Sequence, residues 1–213
     1  SGAGGATTAY ELLKQNKECI ILEEGPSGKN LDFSNIGRNI AKLYKNNGAT
    51  PLISNNGGPM IGYGQGSCVG GSTYVNAGYF SNTPEWIFNN WVKQNKTIIE
   101  FSHYKKLIDE IKSEIKVNTE EITPLDNDSK ILYEESKKLN WQIEKCERYS
   151  SGIVGREKQN MNTTYLKKIS ENGVNIFHDA KVLKIFSKKK EAKSLIVKNK
   201  LNFKKYKFNF KNL

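Results

Sequence analysis

The chain of 213 residues, 37% hydrophobic and 26% charged, has the composition of one globular domain or of a domain carrying an insertion, which excludes wholesale disorder. Its 33 basic residues against 22 acidic ones give a formal charge of +11, but only Arg38, Arg148 and Arg156 are arginines. Phosphate and guanine recognition favours the arginine fork, so this lysine excess argues against sequence-specific reading of nucleic acid.

Residues 1–9 read SGAGGATTA, a glycine-rich turn, and residues 10–14 carry helix formers with apolar Tyr10, Leu12 and Leu13. Residues 19–25, CIILEEG, are a short apolar run ending in two acids and a glycine, the pattern of a buried parallel strand. With one glycine before Ser1 the opening would read G-S-G-A-G-G, a full dinucleotide fingerprint spanning Gly2, Ala3, Gly4 and Gly5. In that register Gly2 lets a pyrophosphate approach the backbone and Gly5 lets helix and sheet pack closely. Glu23, at the end of the second strand, then stands where a carboxylate accepts hydrogen bonds from a ribose diol and repels a 2′-phosphate. The expectation is a chain that enters in mid-motif, its first strand upstream.

Residues 55–91, NNGGPMIGYGQGSCVGGSTYVNAGYFSNTPEWIFNNW, are dense in glycine and aromatics and nearly free of charge. Such glycines let backbone lie against a flat ligand. Residues 84–150 read as mainly helical. Tyr104, Leu107, Ile108, Ile111 and Ile115 form an apolar stripe over residues 101–117, with Ser102 as its cap, and a second helix from Asp128 or Ser129 to Leu139 turns Ile131, Leu132, Ser136 and Leu139 inward. A third helix over 163–172 closes at Gly173. Strands follow at 174–177 and 181–186, and residues 195–197 with 203–210 alternate as a terminal hairpin.

Three of these segments carry a family resemblance. Residues 66–91, with Gly70-Gly71-Ser72-Thr73-x-x-Asn76 followed by Pro84 and Trp91, resemble the first signature of the glucose-methanol-choline (GMC) flavoprotein oxidoreductases. SGAGG and the LEEGP of residues 22–26 look like that family's FAD-binding start, and residues 155–185 look like its later helix and strand pair. CVGGST and the TYL helix are nearest in flavour to the long-chain alcohol oxidase and sterol oxidase branch.

The resemblance implies an α/β fold: a Rossmann-like FAD-binding domain, incomplete for want of its first strand and carboxyl-terminal half, with a helical insertion and a terminal β-hairpin. The corresponding segments are 1–83, 84–150 and 151–213. It also implies that Gly2 and Gly5 serve the pyrophosphate turn and Glu23 the adenosine ribose. Gly70, Gly71, Ser72 and Thr73 would lie against the phosphates and flavin, Asn76, Ala77 and Gly78 would approach the isoalloxazine, and Val182 would meet adenine through its backbone. Position 75 holds a flavin-linked histidine in some members, whereas Val75 forms no such bond, so FAD is expected to be noncovalent. Ser67 departs from the basic residue or Asn more usual there.

The implied reaction is oxidation of a primary or secondary alcohol by hydride transfer to flavin, with an alcohol substrate and an electron acceptor as partners. Such chemistry needs a base for the hydroxyl proton, a histidine of the family's carboxyl-terminal half. His103 and His178 are the chain's two histidines, and their positions suit structural roles, so no catalytic residue is assigned and the chain alone is expected to be inactive. Cys19, Cys68 and Cys146 are odd in number and form no C-x-x-C pair, which indicates neither a disulfide framework nor a zinc site and favours a reducing, cytoplasmic compartment. No apolar run approaches the ~20 residues that span a bilayer, so a soluble protein is expected. The alternative is a non-enzymatic module that binds nucleic acid or acidic membrane through residues 188–213, which hold ten lysines and a single acid, Glu191.

Overall fold

A computed structural model of the chain describes residues 1–28, 34–96, 98–117, 127–143, 147–149 and 158–210. Cys146 and the first residues of the third family-like segment, 155–157, lie outside them. In chain order the elements are α1 (Ala3–Lys14), β1 (Ile20–Leu22), α2 (Ile36–Leu43), β2 (Thr50–Leu52), β3 (Ile61–Tyr63), α3 (Ser72–Val75), β4 (Tyr79–Phe80), α4 (Glu85–Asn95), α5 (Phe101–Glu114), α6 (Asn127–Lys138), β5 (Glu147–Arg148), α7 (Tyr165–Glu171), β6 (Asn175–Phe177), β7 (Ala180–Lys188), β8 (Glu191–Asn199) and β9 (Lys205–Asn209). They form two compact units, Ser1–Asn76 with Asn160–Leu213, and Ala77–Gln159. By contacts the division falls at 76/77 and 159/160. Its cause is local: β4 pairs antiparallel with β5, and the Tyr149 amide donates to the Gly78 carbonyl at 3.1 Å.

In the first unit, α1 begins at Ala3, well before the Tyr10 start expected from helix propensity. The Gly2 carbonyl accepts the Ala6 amide at 2.9 Å, and Thr8 Oγ1 donates back to the Gly4 carbonyl. Glycine costs a helix about 1 kcal/mol per residue relative to alanine, but tertiary burial of an amphipathic face outweighs propensity. Here Ala6 and Ala9 are buried against Ile21, Met161, Tyr165, Leu166 and Ile169, and the Tyr10 ring stacks on Tyr165 with centroids 4.7 Å apart. Asn16, at φ 55°, supplies the left-handed residue that ends the helix.

β1 pairs in parallel with β6, Ile20 opposite Asn175 and Leu22 opposite Phe177. This apolar run therefore is the parallel strand expected of it. The pairing continues past both strands: the Glu23 amide donates to Phe177, and the amides of Ala180 and Asp179 donate to the carbonyls of Glu23 and Gly25. α7 starts at Tyr165 rather than at residue 163, because the Asn160 carbonyl first gathers the amides of Thr163 and Thr164 and the Thr164 hydroxyl into a turn. Gly173, at φ 82°, follows its end as expected.

The terminal hairpin expected over 195–197 and 203–210 is β8 with β9, and the strand expected at 181–186 joins it as β7, giving the order β7-β8-β9, all antiparallel. The nine residues of β8 are long enough to pair on both edges, and Ala180, Leu195 and Val197 form their own buried cluster with Leu22, Phe208 and Phe210 against it. Lys189 and Lys190, both at positive φ, turn the chain between β7 and β8.

In the second unit, Pro84 precedes α4 and its carbonyl accepts the Ile87 and Phe88 amides. Phe88 is buried against Phe101 and Tyr104, the latter with centroids 4.7 Å apart. Ser102 is not the cap of α5: Glu100 holds that position in extended conformation, and Ser102 Oγ inside the first turn donates to its carboxylate at 3.3 Å. The expected stripe is half-buried at Tyr104, Ile108 and Ile115 but exposed at Leu107 and Ile111. On α6 only Ser136 is buried while Ile131, Leu132 and Leu139 face outward, because the described residues of this unit leave that face uncovered.

Ile169 is fully buried between α1 and the parallel pair, so Ile169→Ala is expected to cost about 2–5 kcal/mol. Urea unfolding followed by circular dichroism measures it.

Candidate functional site

Three stretches of the first unit converge: the start of α1, the end of β1, and residues 65–73. Their meeting requires glycine. A Cβ on Gly71, which sits at φ 54°, would lie 2.8 Å from the Gly2 Cα. One on Gly66 would press the Gly71 carbonyl at 2.7 Å, and one on Gly25 would land on the Ser67 carbonyl. Backbone here packs directly on backbone.

Glu23 ties the three stretches together. Its carboxylate is buried, with Oε1 accepting the Gly25 amide at 2.9 Å and Oε2 accepting the Ser1 hydroxyl at 2.6 Å and the Ser1 nitrogen at 3.1 Å. The Ser1 hydroxyl oxygen in turn accepts the Gly70 amide at 3.1 Å, linking acid to second glycine loop. Behind the loop, Thr73 Oγ1 donates to the Gly70 carbonyl at 2.6 Å and accepts the Met161 amide at 3.1 Å, and Asn162 Nδ2 donates to the Val69 carbonyl at 2.9 Å. Ser72 Oγ accepts the Gly66 amide at 3.0 Å.

These walls flank a half-open cavity of about 300 Å³ lined by Gly2, Ala3, Glu23, Ser67, Gly71, Ser72 and Thr73 among the residues singled out in the sequence. The other expected residues lie elsewhere. Gly4 and Gly5 are in the first turn of α1, where an added Cβ would meet nothing within 4 Å. Gly70 stands behind the wall at φ 92°, against the Asn162 amide. Asn76 caps α3 with its amide on the Ser72 carbonyl, and Ala77 and Gly78 belong to the second unit. Val182 is on β7 opposite Val197, beside a bulge in the β7–β8 ladder. Of the two histidines, His178 Nδ1 lies 2.6 Å from Asp179 Oδ2 and His103 is exposed on α5.

Glu24, Lys45 and Gln65 also line the cavity. Glu24 stands inside the LEEGP segment but was given no role from it, and no motif marks Lys45 or Gln65. Lys45 and Gln65 arrive by backbone pairing, since the Lys45 amide donates to the Gln65 carbonyl at 2.8 Å and the Ser67 amide to the Leu43 carbonyl at 2.6 Å. A hydrogen bond from Lys181 at 2.9 Å, aided by the charges of Lys181, Lys45 and Lys200, holds the Glu24 carboxyl below the usual glutamate range against a smaller opposing effect of burial. The amides at the start of α1 have no side-chain cap and its first turn holds no acid, so the positive end of the helix faces this cavity at Gly2 and Ala3.

Gly25→Ala is expected to lose about 1–3 kcal/mol through the clash with Ser67, whereas Gly4→Ala, whose Cβ meets open space, is expected to be neutral or stabilising; thermal melts of the two variants compare them. The depressed Glu24 pKa gives a contribution present at neutral pH and lost as pH falls below the unfolded value of ~4.3. The Glu24–Lys181 pair is partly exposed, so Lys181→Met should cost no more than about 1 kcal/mol at pH 7, a difference that shrinks toward zero as unfolding is repeated in acid.

Comparison with known proteins gives this arrangement a context. The chain is 29% identical over 211 residues to the uncharacterised GMC-type oxidoreductase y4nJ of Sinorhizobium fredii, covering 90% of this chain and 40% of that protein. It is 28% identical over 187 residues to the long-chain-alcohol oxidase FAO4B of Arabidopsis thaliana, covering 81% and 24%, and 25% identical over 159 residues to a GMC-type oxidoreductase of Mycobacterium tuberculosis, covering 73% and 25%. It thus spans less than half the length of these relatives. Among the described residues no helix is long and apolar enough to cross a membrane. The basic-module alternative gains no support from these likenesses. A family model described as GMC oxidoreductase matches residues 40–212, and the chain belongs to that family of oxidoreductases, to its FAD-binding N-terminal domain.

Proposed function

We propose that the chain holds FAD noncovalently and is the cofactor-binding part of an enzyme that oxidises a primary or secondary alcohol to the aldehyde or ketone. The observation that carries this reading is the convergence of Gly2, Gly71 and Glu23 on one cavity. The fit to the cofactor is chemical. Glycine backbone at positions 2, 66 and 71 forms much of the wall, the uncapped start of α1 offers a diphosphate amide donors, and a buried carboxylate retains acceptor capacity for a ribose diol. At about 300 Å³ the cavity is at the small end of ligand pockets and suits the ribose–diphosphate portion of a dinucleotide.

When bound, FAD supplies the hydride acceptor. The residues of this chain bind and orient. Gly2 and Ala3 present the helix start to the diphosphate, Glu23 fixes the ribose, and Gly71, Ser72 and Thr73 form the wall against which the cofactor lies. Gly70 and Asn76 brace that wall, while Ala77, Gly78 and Val182 are assigned to flavin and adenine contacts by the family resemblance alone. Val75 presents no nucleophile for a covalent flavin link. The alcohol substrate class draws its support from the likeness to a long-chain-alcohol oxidase.

The purified chain incubated with FAD and desalted is expected to keep a bound-flavin absorption spectrum, and acid precipitation is expected to release all of that flavin into the supernatant. Complete loss of flavin on desalting from a folded chain would defeat the binding reading. Flavin retained in the acid pellet would defeat the noncovalent one.

A further inference from the structure

Two carboxylates line the candidate cavity, Glu23 and Glu24, and a doubly charged diphosphate entering beside them meets like charge. Glu24 is already answered by Lys181, 2.9 Å away and outside the cavity lining. Glu23 already accepts from Ser1 and Gly25 and so answers none of the incoming charge. The helix start supplies partial positive charge alone, and Ser67, Ser72, Thr73 and Gln65 supply none. Lys45 is the cationic side chain in the lining, and although its charge is felt by Glu24, Glu24 makes its ion pair with Lys181 rather than with Lys45.

Lys45 is held for such a role. Its amide is bonded to Gln65, the neighbouring Tyr44 bridges Gly66 across the same antiparallel pairing, and the chain reverses immediately after it through Asn46 and Asn47, both in the left-handed region that asparagine tolerates. Asn46 Nδ2 closes that reversal on Thr50 Oγ1 at 3.1 Å. The backbone under Lys45 is therefore fixed to the segment that forms the cavity wall, while the side chain remains exposed to solvent and to an arriving ligand.

Resting on the flavin reading above, we infer that Lys45 is a specificity-determining cation of this site: it meets the diphosphate of the dinucleotide and offsets the acidic lining. It selects for ligands carrying phosphate at that position over the bare nucleoside.

The test is calorimetric titration of the full chain with ADP, adenosine and FAD, in the parent and in Lys45→Gln, Lys45→Arg and Lys45→Gln/Ser67→Lys. Lys45→Gln is expected to weaken ADP and FAD roughly tenfold, the scale of one charge-assisted contact at a partly exposed site, and to flatten the salt dependence of ADP binding, with adenosine changed less than about twofold. Lys45→Arg should keep the affinity, and Ser67→Lys, placing charge on the adjacent wall, should recover part of it. Unchanged ADP affinity in Lys45→Gln, or an equal loss for ADP and adenosine, overturns the assignment while parent binding of FAD leaves the flavin reading intact. A folded parent that binds neither ADP nor FAD overturns both.

Discussion

A carboxylate removed from water must be met by donors, and Glu23 is such a group in this fold. Its buried oxygens draw in Ser1 from the chain's beginning and Gly25 from its own strand, and Ser1 passes the constraint to Gly70 on the second glycine loop. Leaving a buried charge short of partners costs several kcal/mol, so these bonds fix the spacing of all three stretches. The backbone of Glu23 is tied equally firmly, its amide to Phe177 and its carbonyl to Ala180. One residue thus orients the end of β1, the start of α1 and the junction of β6 with β7.

The glycines then determine how close those stretches come. Gly2 and Gly71 touch through main chain, and side-chain bulk at Gly71 would push the loop away from α1. Support comes from more than eighty residues further on, where Met161 and Asn162 bond Thr73 and Val69 from behind. The same stretch begins α7, whose Tyr165, Leu166 and Ile169 pack under α1. Wall and core are therefore built from one set of contacts. Loss of core packing under α1 loosens the cavity as well.

The helix–strand order at the start of the chain and the parallel character of CIILEEG were legible because each follows from local pattern, a glycine-rich turn and an apolar run with an acid at its end, whereas the bridge from Glu23 through Ser1 to Gly70 has no mark in the sequence. The start of α1 at Ala3 was not, since glycine propensity points the other way and only the burial of Ala6 and Ala9 reverses it. Lys45 and Gln65 carry no motif, and they reach the cavity through pairing between segments about twenty residues apart. Ala77 and Gly78 looked continuous with the GGST loop, but the β4–β5 ladder takes them into the second unit. All three strands of the terminal sheet were expected from their apolar runs, but that the 181–186 strand pairs with the hairpin as β7 was not marked by any local pattern, since most of its residues are exposed.

The bond between Thr73 and Met161 sets the exit and return of the intervening unit side by side on the first one. Chain leaving at Asn76 and re-entering at Asn160 spans a short gap whatever is strung between. Closing a longer loop across a fixed gap grows only logarithmically in cost, so the intervening unit can change length and sequence without moving the glycine walls. The first unit in that sense keeps its glycine walls whatever length of chain is strung between residues 76 and 160.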